Sequence, residues 1–198
     1  PDLADEVRSS RPMASRRTRE SVESSPEFKT WFGKSKVVDQ AGKPLPLYHG
    51  TQARNEIEAI DPSRFLSGSH FGPGFYMAEE PEIASRGYAE GHLHPRGQEQ
   101  SGSPSVYKLY ARIENPLDMS KPADSKMIAA VFGSPNVDLE EMGFGSRSTN
   151  EVLYKQLAKR LGDDKRAANE KLQELGFDGI TRLNRASDEA SEHREWVV

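Results

Sequence analysis

The apolar positions of the chain fall into short blocks whose spacing alternates between that of helices and that of strands. Near the start, Ser25-Pro26 predicts a helix, because serine caps helix N-termini and proline fits the first helical position. Phe28, Trp31 and Phe32 then lie on one face of that helix. Helical spacing also predicts helices over 79–91, 125–132, 150–161 and 165–175.

Strand spacing is clearest over 105–113, where successive side chains alternate in character. The prolines within 44–47 predict an edge strand, because proline cannot donate a ladder hydrogen bond. In the last strand, alternation predicts that Trp196 and Val198 face the core, whereas Glu195 faces the other way with Val197. Shorter strands are predicted at 36–39, 44–49, 71–78, 177–181 and 195–198.

Short, numerous strands mixed with helices and separated by loops predict an α+β domain. The chain has 198 residues, enough for one domain with a core, and 34% of them are hydrophobic. Residues 1–25 contain almost no large apolar side chain, which predicts a disordered tail or linker before a domain over 26–198. The chain stops inside an apolar run, so we expect it to be part of a longer protein.

Charge and cysteine content narrow the function classes. The net charge of -4 gives no default reason to expect a nucleic-acid partner, although nucleic acid is not excluded as an acceptor. No apolar run approaches the length of a membrane span, and no signal peptide is visible. The absence of cysteine excludes disulfides, thiolate metal sites and a cysteine nucleophile.

Candidate chemistry begins with His49, which follows a strand and precedes a glycine that lets a ligand approach the backbone closely. Tyr76 and Tyr88 supply flat rings that could hold a planar heterocycle between them. Glu195 supplies a carboxylate on an otherwise apolar strand, and it could stabilise the sugar cation formed when a glycosidic bond to that heterocycle breaks. The alternatives are a structural histidine and an exposed surface glutamate.

Four segments, taken together, resemble the ADP-ribosyltransferases of the His–Tyr–Glu type, the group of diphtheria toxin and the poly(ADP-ribose) polymerases. The likeness is strongest to the ADP-ribosyltransferase domains of phage and mobile-element polyvalent proteins, and it covers residues 26–198. It implies a split β-sandwich of short strands with flanking helices. The segments are Tyr48-His49-Gly50-Thr51, Phe71-Gly72-Pro73-Gly74-Phe75-Tyr76-Met77-Ala78, Ser85-Arg86-Gly87-Tyr88 and Glu195-Trp196-Val197-Val198.

The resemblance implies an enzyme that cleaves the nicotinamide–ribose bond of its co-substrate NAD+. It would transfer ADP-ribose, one unit at a time, to a macromolecular acceptor. The expected acceptor is a host protein that is modified in the host cytoplasm. His49, Tyr76 and Glu195 would be the catalytic residues. His49 would bind the adenine-side ribose, and Glu195 would bind the nicotinamide ribose and stabilise the cationic transition state.

Other positions would complete the NAD+ site by the same resemblance. The Gly50 backbone would bind the nicotinamide amide, and Thr51 would contact the adenosine half. Ser85 would donate to the amide oxygen, while Tyr88 would stack on the nicotinamide ring opposite Tyr76. Arg54 and Arg64 are candidate pyrophosphate partners that no motif supports.

Two other functions stay open. With water as the acceptor, the chain would be an NAD+ glycohydrolase, and with an inactive site it would be a binding module. The joint presence of His49, Tyr76 and Glu195 favours an enzyme. His92 and His94 have a spacing that could suit a metal, but no clear third ligand accompanies them, so no metal site is predicted. Loops 52–70, 91–104 and 136–148 are expected to recognise the acceptor.

Overall fold

The computed structural model describes residues 22–52, 57–89, 104–145, 148–184 and 192–198. Two compact units are present, Pro1–Gly33 and Lys34–Val198. In the first, helix α1 spans Pro26–Phe32 and begins as predicted, because the Ser25 hydroxyl accepts from the Phe28 amide at 3.1 Å. The Phe28 and Phe32 rings stack with their centroids 5.4 Å apart, which confirms the predicted aromatic face.

The second unit contains one mixed sheet of six strands. The strands are β1 Leu47–Thr51, β2 Tyr76–Ala78, β3 Ser105–Leu109, β4 Pro116–Asp118, β5 Gly179–Asn184 and β6 His193–Val197. Their order across the sheet is β3-β1-β2-β6-β5-β4. The β4–β5 pair is parallel, and the other neighbours are antiparallel. A single register pair, Tyr48 with Ala78, joins β1 to β2, so the sheet divides there into two halves.

The predicted edge strand over 44–47 is wrong. β1 begins only at Leu47, and it lies inside the sheet between β3 and β2. Pro44 and Val38 form an isolated bridge instead, and 36–39 makes no strand beyond it. The prolines exclude regular pairing from 44–46, whereas the strand that follows them finds partners far away in sequence on both sides.

The helices agree closely with the sequence pattern. Helix α2 spans Ser125–Phe132, α3 spans Asn150–Arg160 and α4 spans Lys165–Glu174. Asp164 caps α4, because its carboxylate accepts from the Arg166 and Ala167 amides at 2.8 and 3.1 Å. The helix predicted after β2 is a π-helical segment, Ile83–Ala89, and a short 3₁₀ helix spans Pro62–Arg64.

The main core lies between the sheet and helices α2 to α4. Val197 belongs to this core together with Ile180 and Leu172, and Val198 is 45% exposed. The expected orientation of β6 is therefore wrong, because Glu195 and Val197 share the face that the helices cover. Trp196 is buried on the opposite face, where its Nε1 donates to Glu79 Oε1 at 3.0 Å. Because both faces of β6 are covered, burial of Trp196 does not show which face of the strand meets the main core.

Most strands differ in extent from the sequence prediction: β2 covers only Tyr76–Ala78 of the predicted 71–78, and β5 and β6 are shifted by two residues or fewer at their starts. The strand predicted over 105–113 pairs only as far as Leu109. The strand Pro116–Asp118 was not predicted, because proline at its first residue indicated a break in the chain. The α+β class, the short strands and the flanking helices are confirmed.

Candidate functional site

His49 connects the two halves of the sheet. Its Nδ1 lies 2.7 Å from the Tyr76 carbonyl, and its ring stacks on Phe75 with a centroid separation of 4.1 Å. Because a carbonyl only accepts hydrogen bonds, Nδ1 carries the proton and Nε2 is left as an acceptor. Burial lowers the pKa of His49, and the hydrogen bond to Tyr76 opposes this effect less strongly. The ring is therefore neutral near pH 7.

Tyr76 lies on β2 and is half-buried. Its hydroxyl accepts from the Phe71 amide and donates to the Gly72 carbonyl, both at 2.9 Å. Burial, and to a lesser degree the charge of Glu195, raises the pKa of Tyr76, so its hydroxyl stays protonated. Since that hydroxyl is bonded to the 71–72 backbone, the flat ring is the part of Tyr76 that suits a stacked ligand.

The loop that receives the Tyr76 hydroxyl is itself held by two helices. The Tyr154 hydroxyl of α3 donates to the Phe71 carbonyl at 2.9 Å, and the Asn169 amide of α4 donates to the same carbonyl at 2.9 Å. Lys165 Nζ donates to the Ser69 carbonyl at 2.7 Å. These buried and half-buried bonds position the loop, and the loop in turn positions the Tyr76 ring.

Glu195 lies in the middle of β6, on the same face as Tyr76. Its cross-strand neighbours are Ala78 on β2 and Arg182 on β5. The side chain is only 12% exposed, so its carboxylate acts in surroundings where charge interactions are stronger than in water. The surface-glutamate alternative is thus not what the structure shows.

Gly50 provides a close approach between two parts of the backbone. A Cβ at this position would lie 1.8 Å from the Ala84 carbonyl oxygen, inside the π-helical segment. Ser85 belongs to that segment and is half-buried. Thr51 follows Gly50 and is the last residue of β1. The Tyr88 backbone also belongs to the segment, and its side chain lies outside the described part of the structure. Gly50 thus brings a π-helical turn, a conformation common at functional sites, against β1.

The family described as ADP-Ribosyltransferase in polyvalent proteins matches residues 39–198. The chain belongs to this family. No curated protein and no solved structure matches the chain. Membership makes the chain an ADP-ribosyltransferase, an enzyme class whose substrate is NAD+, and it confirms the resemblance carried by the His49, Tyr76 and Glu195 segments.

Several residues singled out in the sequence of this ADP-ribosyltransferase are exposed or lie outside the described residues. Arg64 is exposed at the end of the short 3₁₀ helix. Arg54, His92 and His94 lie outside the described residues, as do most of the loop 91–104 and residues 1–21. Within the described ranges, no group of three or more His, Asp or Glu side chains is arranged to hold a metal ion.

Besides Arg182, sequence reasoning missed three polar residues near Glu195. His193 and Glu195 share a face of β6, Asn184 faces His193 from β5, and Glu80 follows β2 on the other side. The alternation of β6 could have indicated His193, because it lies two residues before Glu195. Nothing local in the sequence indicates Glu80 or Asn184, since only strand pairing brings them close.

A small cavity of about 80 Å³ opens elsewhere on the ADP-ribosyltransferase. It lies beside α4 and the end of β6, with Leu172, Phe177 and Val198 among its lining residues. His49, Tyr76 and Glu195 are not among them, so this cavity belongs to the helical core and not to the candidate site. In the described ranges, no helix is long and apolar enough to cross a membrane.

Proposed function

We propose that this ADP-ribosyltransferase transfers single ADP-ribose units from NAD+ to a macromolecular acceptor, with His49, Tyr76 and Glu195 as its catalytic residues. The observation that carries the proposal is the 2.7 Å contact between His49 Nδ1 and the Tyr76 carbonyl. It joins two of the three residues across the junction of the sheet, and Glu195 lies on the strand next to Tyr76. The family match supports the reaction class.

His49 and Tyr76 serve mainly to bind and orient NAD+. Since Nδ1 of His49 donates to a backbone carbonyl, Nε2 accepts a hydrogen bond from a ribose hydroxyl. The Tyr76 ring supports the nicotinamide, because its hydroxyl is already bonded to the 71–72 backbone. Gly50, Thr51 and Ser85, with Tyr88, complete the proposed site by the family likeness.

Glu195 carries the chemical step. As the nicotinamide–ribose bond breaks, its electron pair leaves with nicotinamide and positive charge grows on the ribose. A carboxylate in a largely buried position stabilises that charge strongly, because little water competes with it. The acceptor then attacks the ribose carbon and completes the transfer.

Nicotinamide release from NAD+, measured with and without candidate acceptors, tests this function directly. Release that depends on an acceptor, with label on the acceptor, supports transfer. Release into water alone would identify an NAD+ glycohydrolase. NAD+ binding without any release, seen by calorimetry, would identify a binding module and contradict the proposal.

The acceptor is proposed to be a host protein reached in the cytoplasm, on the strength of the likeness to phage and mobile-element domains. Mass spectrometry of a host lysate incubated with labelled NAD+ identifies it. We expect the loop 91–104 to contribute to acceptor binding, so shortening it should reduce labelling and leave nicotinamide release to water intact. A parallel fall in both rates would place the loop in the NAD+ site.

A further inference from the structure

Three neighbouring strands bring polar side chains together beside Glu195. Ala78 on β2 pairs with Glu195 on β6, so Glu80, two residues further on, lies beside His193. The Glu79 amide donates to the Arg194 carbonyl at 3.2 Å, which shows that the pairing continues past the end of β2. On the other side of β6, Asn184 pairs with His193.

His193 is buried, with 7% of its side chain exposed. Its Nε2 lies 3.2 Å from the Asn184 amide nitrogen and 4.0 Å from Glu195 Oε1. An amide nitrogen only donates, so Nε2 accepts in this arrangement and the imidazole is neutral, with its proton on Nδ1. A basic nitrogen is thus held next to the carboxylate that is proposed to act on the ribose.

Glu80 is the charged neighbour of His193 from the β2 side. Its Oε2 is enclosed, and no described protein group lies within hydrogen-bonding distance. Burial, followed by the charge of Glu79, raises the pKa of Glu80, while the charge of His193 lowers it. An enclosed carboxylate oxygen without a partner is costly, so a proton-bearing or cationic group is the partner that this position suits.

We propose that His193, with Glu80 beside it, takes up the proton that the acceptor loses during transfer. The proposal rests on the function proposed above and assigns the acceptor side of the same site. The acceptor atom forms a bond to the ribose carbon as the bond to nicotinamide breaks and its electron pair leaves with nicotinamide. The Asn184 amide turns so that its oxygen faces the ring, which frees the Nε2 lone pair for the acceptor proton. The resulting imidazolium is stabilised by two carboxylates, Glu195 and Glu80.

The proposal names a class of acceptor. A hydroxyl or a guanidinium must lose a proton when it attacks, whereas an ionised carboxylate has none to lose. A base beside the site therefore favours nucleophiles that carry a proton. Glu195 then stabilises the charge on the ribose, and His193 takes the proton from the acceptor.

The charged groups around His193 come from every strand that flanks it. Glu195 lies on its own strand and Glu80 on the β2 side. Arg182 on β5 lies opposite Glu195, but its Nε is held at 3.1 Å by Glu151 Oε2. Glu195 and Glu80 are thus the carboxylates nearest to His193, whereas Arg182 is paired with Glu151.

The first test measures pH–rate profiles of nicotinamide release and transfer in the full chain, for wild type, His193→Gln and Glu80→Gln. Proton transfer to a positioned base contributes about 100-fold or more, so His193→Gln should lose that factor while NAD+ affinity is kept. The acid limb of the pH–rate profile should disappear in His193→Gln. Glu80→Gln should lose less, and its acid limb should move to lower pH, because protonated His193 then has one carboxylate fewer.

A second measurement separates a chemical role from a structural one. Imidazole added to His193→Gly should restore part of the activity, which a purely structural role would not allow. His70→Gln is the matched control, since His70 is an exposed histidine whose partner is Glu151, and its profile should match wild type. If His193→Gln does not fold, the profile of Glu80→Gln decides the matter alone.

Two results would overturn the proposal and leave the proposed function standing. One is a Glu195-dependent wild-type activity whose acid limb is unchanged in Glu80→Gln and in any folded His193 variant, which would mean that Glu195 takes the proton itself. The other is a modified acceptor residue that proves to be a carboxylate. If wild type releases no nicotinamide, or if Glu195→Gln releases it at the wild-type rate, the proposed function fails instead.

Discussion

The two halves of the sheet hold their site residues by different means. The half formed by β2, β6, β5 and β4 rests on the helical core, and Tyr76 and Glu195 lie on it. The half formed by β1 and β3 is packed against the π-helical segment and carries His49 and Gly50. The single register pair of Tyr48 with Ala78, together with the His49 hydrogen bond, joins the halves.

This difference bears on how the site residues are held. The proposed chemical residue, Glu195, lies on the half that packs on the helical core, and such regions open least often. The residues proposed to bind NAD+ divide between the halves, because Tyr76 lies beside Glu195 whereas His49 and Gly50 lie on the half that packs closely against the π-helical backbone. One half thus holds its site residues by packing on the helical core, and the other depends on a glycine and on one histidine.

The largest effect is expected at Glu195. Glu195→Gln should lower turnover by about 100-fold or more with NAD+ affinity little changed, because the lost interaction forms mainly in the transition state. Nicotinamide release and calorimetry measure the two quantities. Glu192→Gln, an exposed neighbour in the same chain segment, is the control and should keep wild-type turnover. Full activity in Glu195→Gln would mean that the chemical step does not depend on the half of the sheet that rests on the helical core.

The backbone packing of the other half is tested at Gly50. Gly50→Ala should destabilise the fold by about 2 kcal/mol, because overpacking of a filled site costs this much and the added Cβ would meet the Ala84 carbonyl. Denaturant unfolding measures the change. Gly68→Ala is the matched control, since a Cβ there meets nothing within 4 Å. Equal stabilities for the two variants would show that the π-helical segment shifts without cost.

The half of the sheet that rests on the helical core is tested at the hydrogen bonds that hold the loop 71–73. Asn169→Ala removes the bonds to the Phe71 and Pro73 carbonyls and should cost about 1 kcal/mol, the usual net contribution of a hydrogen bond, because the Phe71 carbonyl keeps a second donor. Gln173→Ala, an exposed change on the same helix, should cost little. Thermal unfolding compares them. A stable Asn169→Ala protein with normal NAD+ affinity would mean that Tyr76 does not depend on this loop.

The smallest effect concerns the His49 contact between the halves. Burial lowers the pKa of His49, so the unfolded chain binds more protons than the folded one as the pH falls below about 6.5. The stabilisation is fully present above that value and is lost as the pH falls through the folded pKa. Stability should therefore decline less steeply between about pH 7 and pH 5 in His49→Asn than in wild type. Parallel curves would contradict the buried, neutral histidine.

Helix positions could be predicted because their signals are local. The Ser25 cap, the apolar spacing of α3 and the Asp164 cap each involve residues within a few positions of one another. The glycine after His49 is also a local signal, and it predicted a close approach to the backbone. What approaches Gly50 in this structure is the Ala84 backbone, and no local pattern contains that information.

The sequence by itself determined the class of fold, the helix ends and the His49, Tyr76 and Glu195 segments, because each of these is written in short-range patterns. Only the tertiary structure decided which strands are neighbours and which face of β6 meets the core. His49 meets Tyr76 across 27 positions of sequence, and Glu79 meets Trp196 across 117. Alternation shows which residues share a face, but pairing between distant strands decides what that face meets. The places of Asn184 and Glu80 beside His193 follow from such pairing.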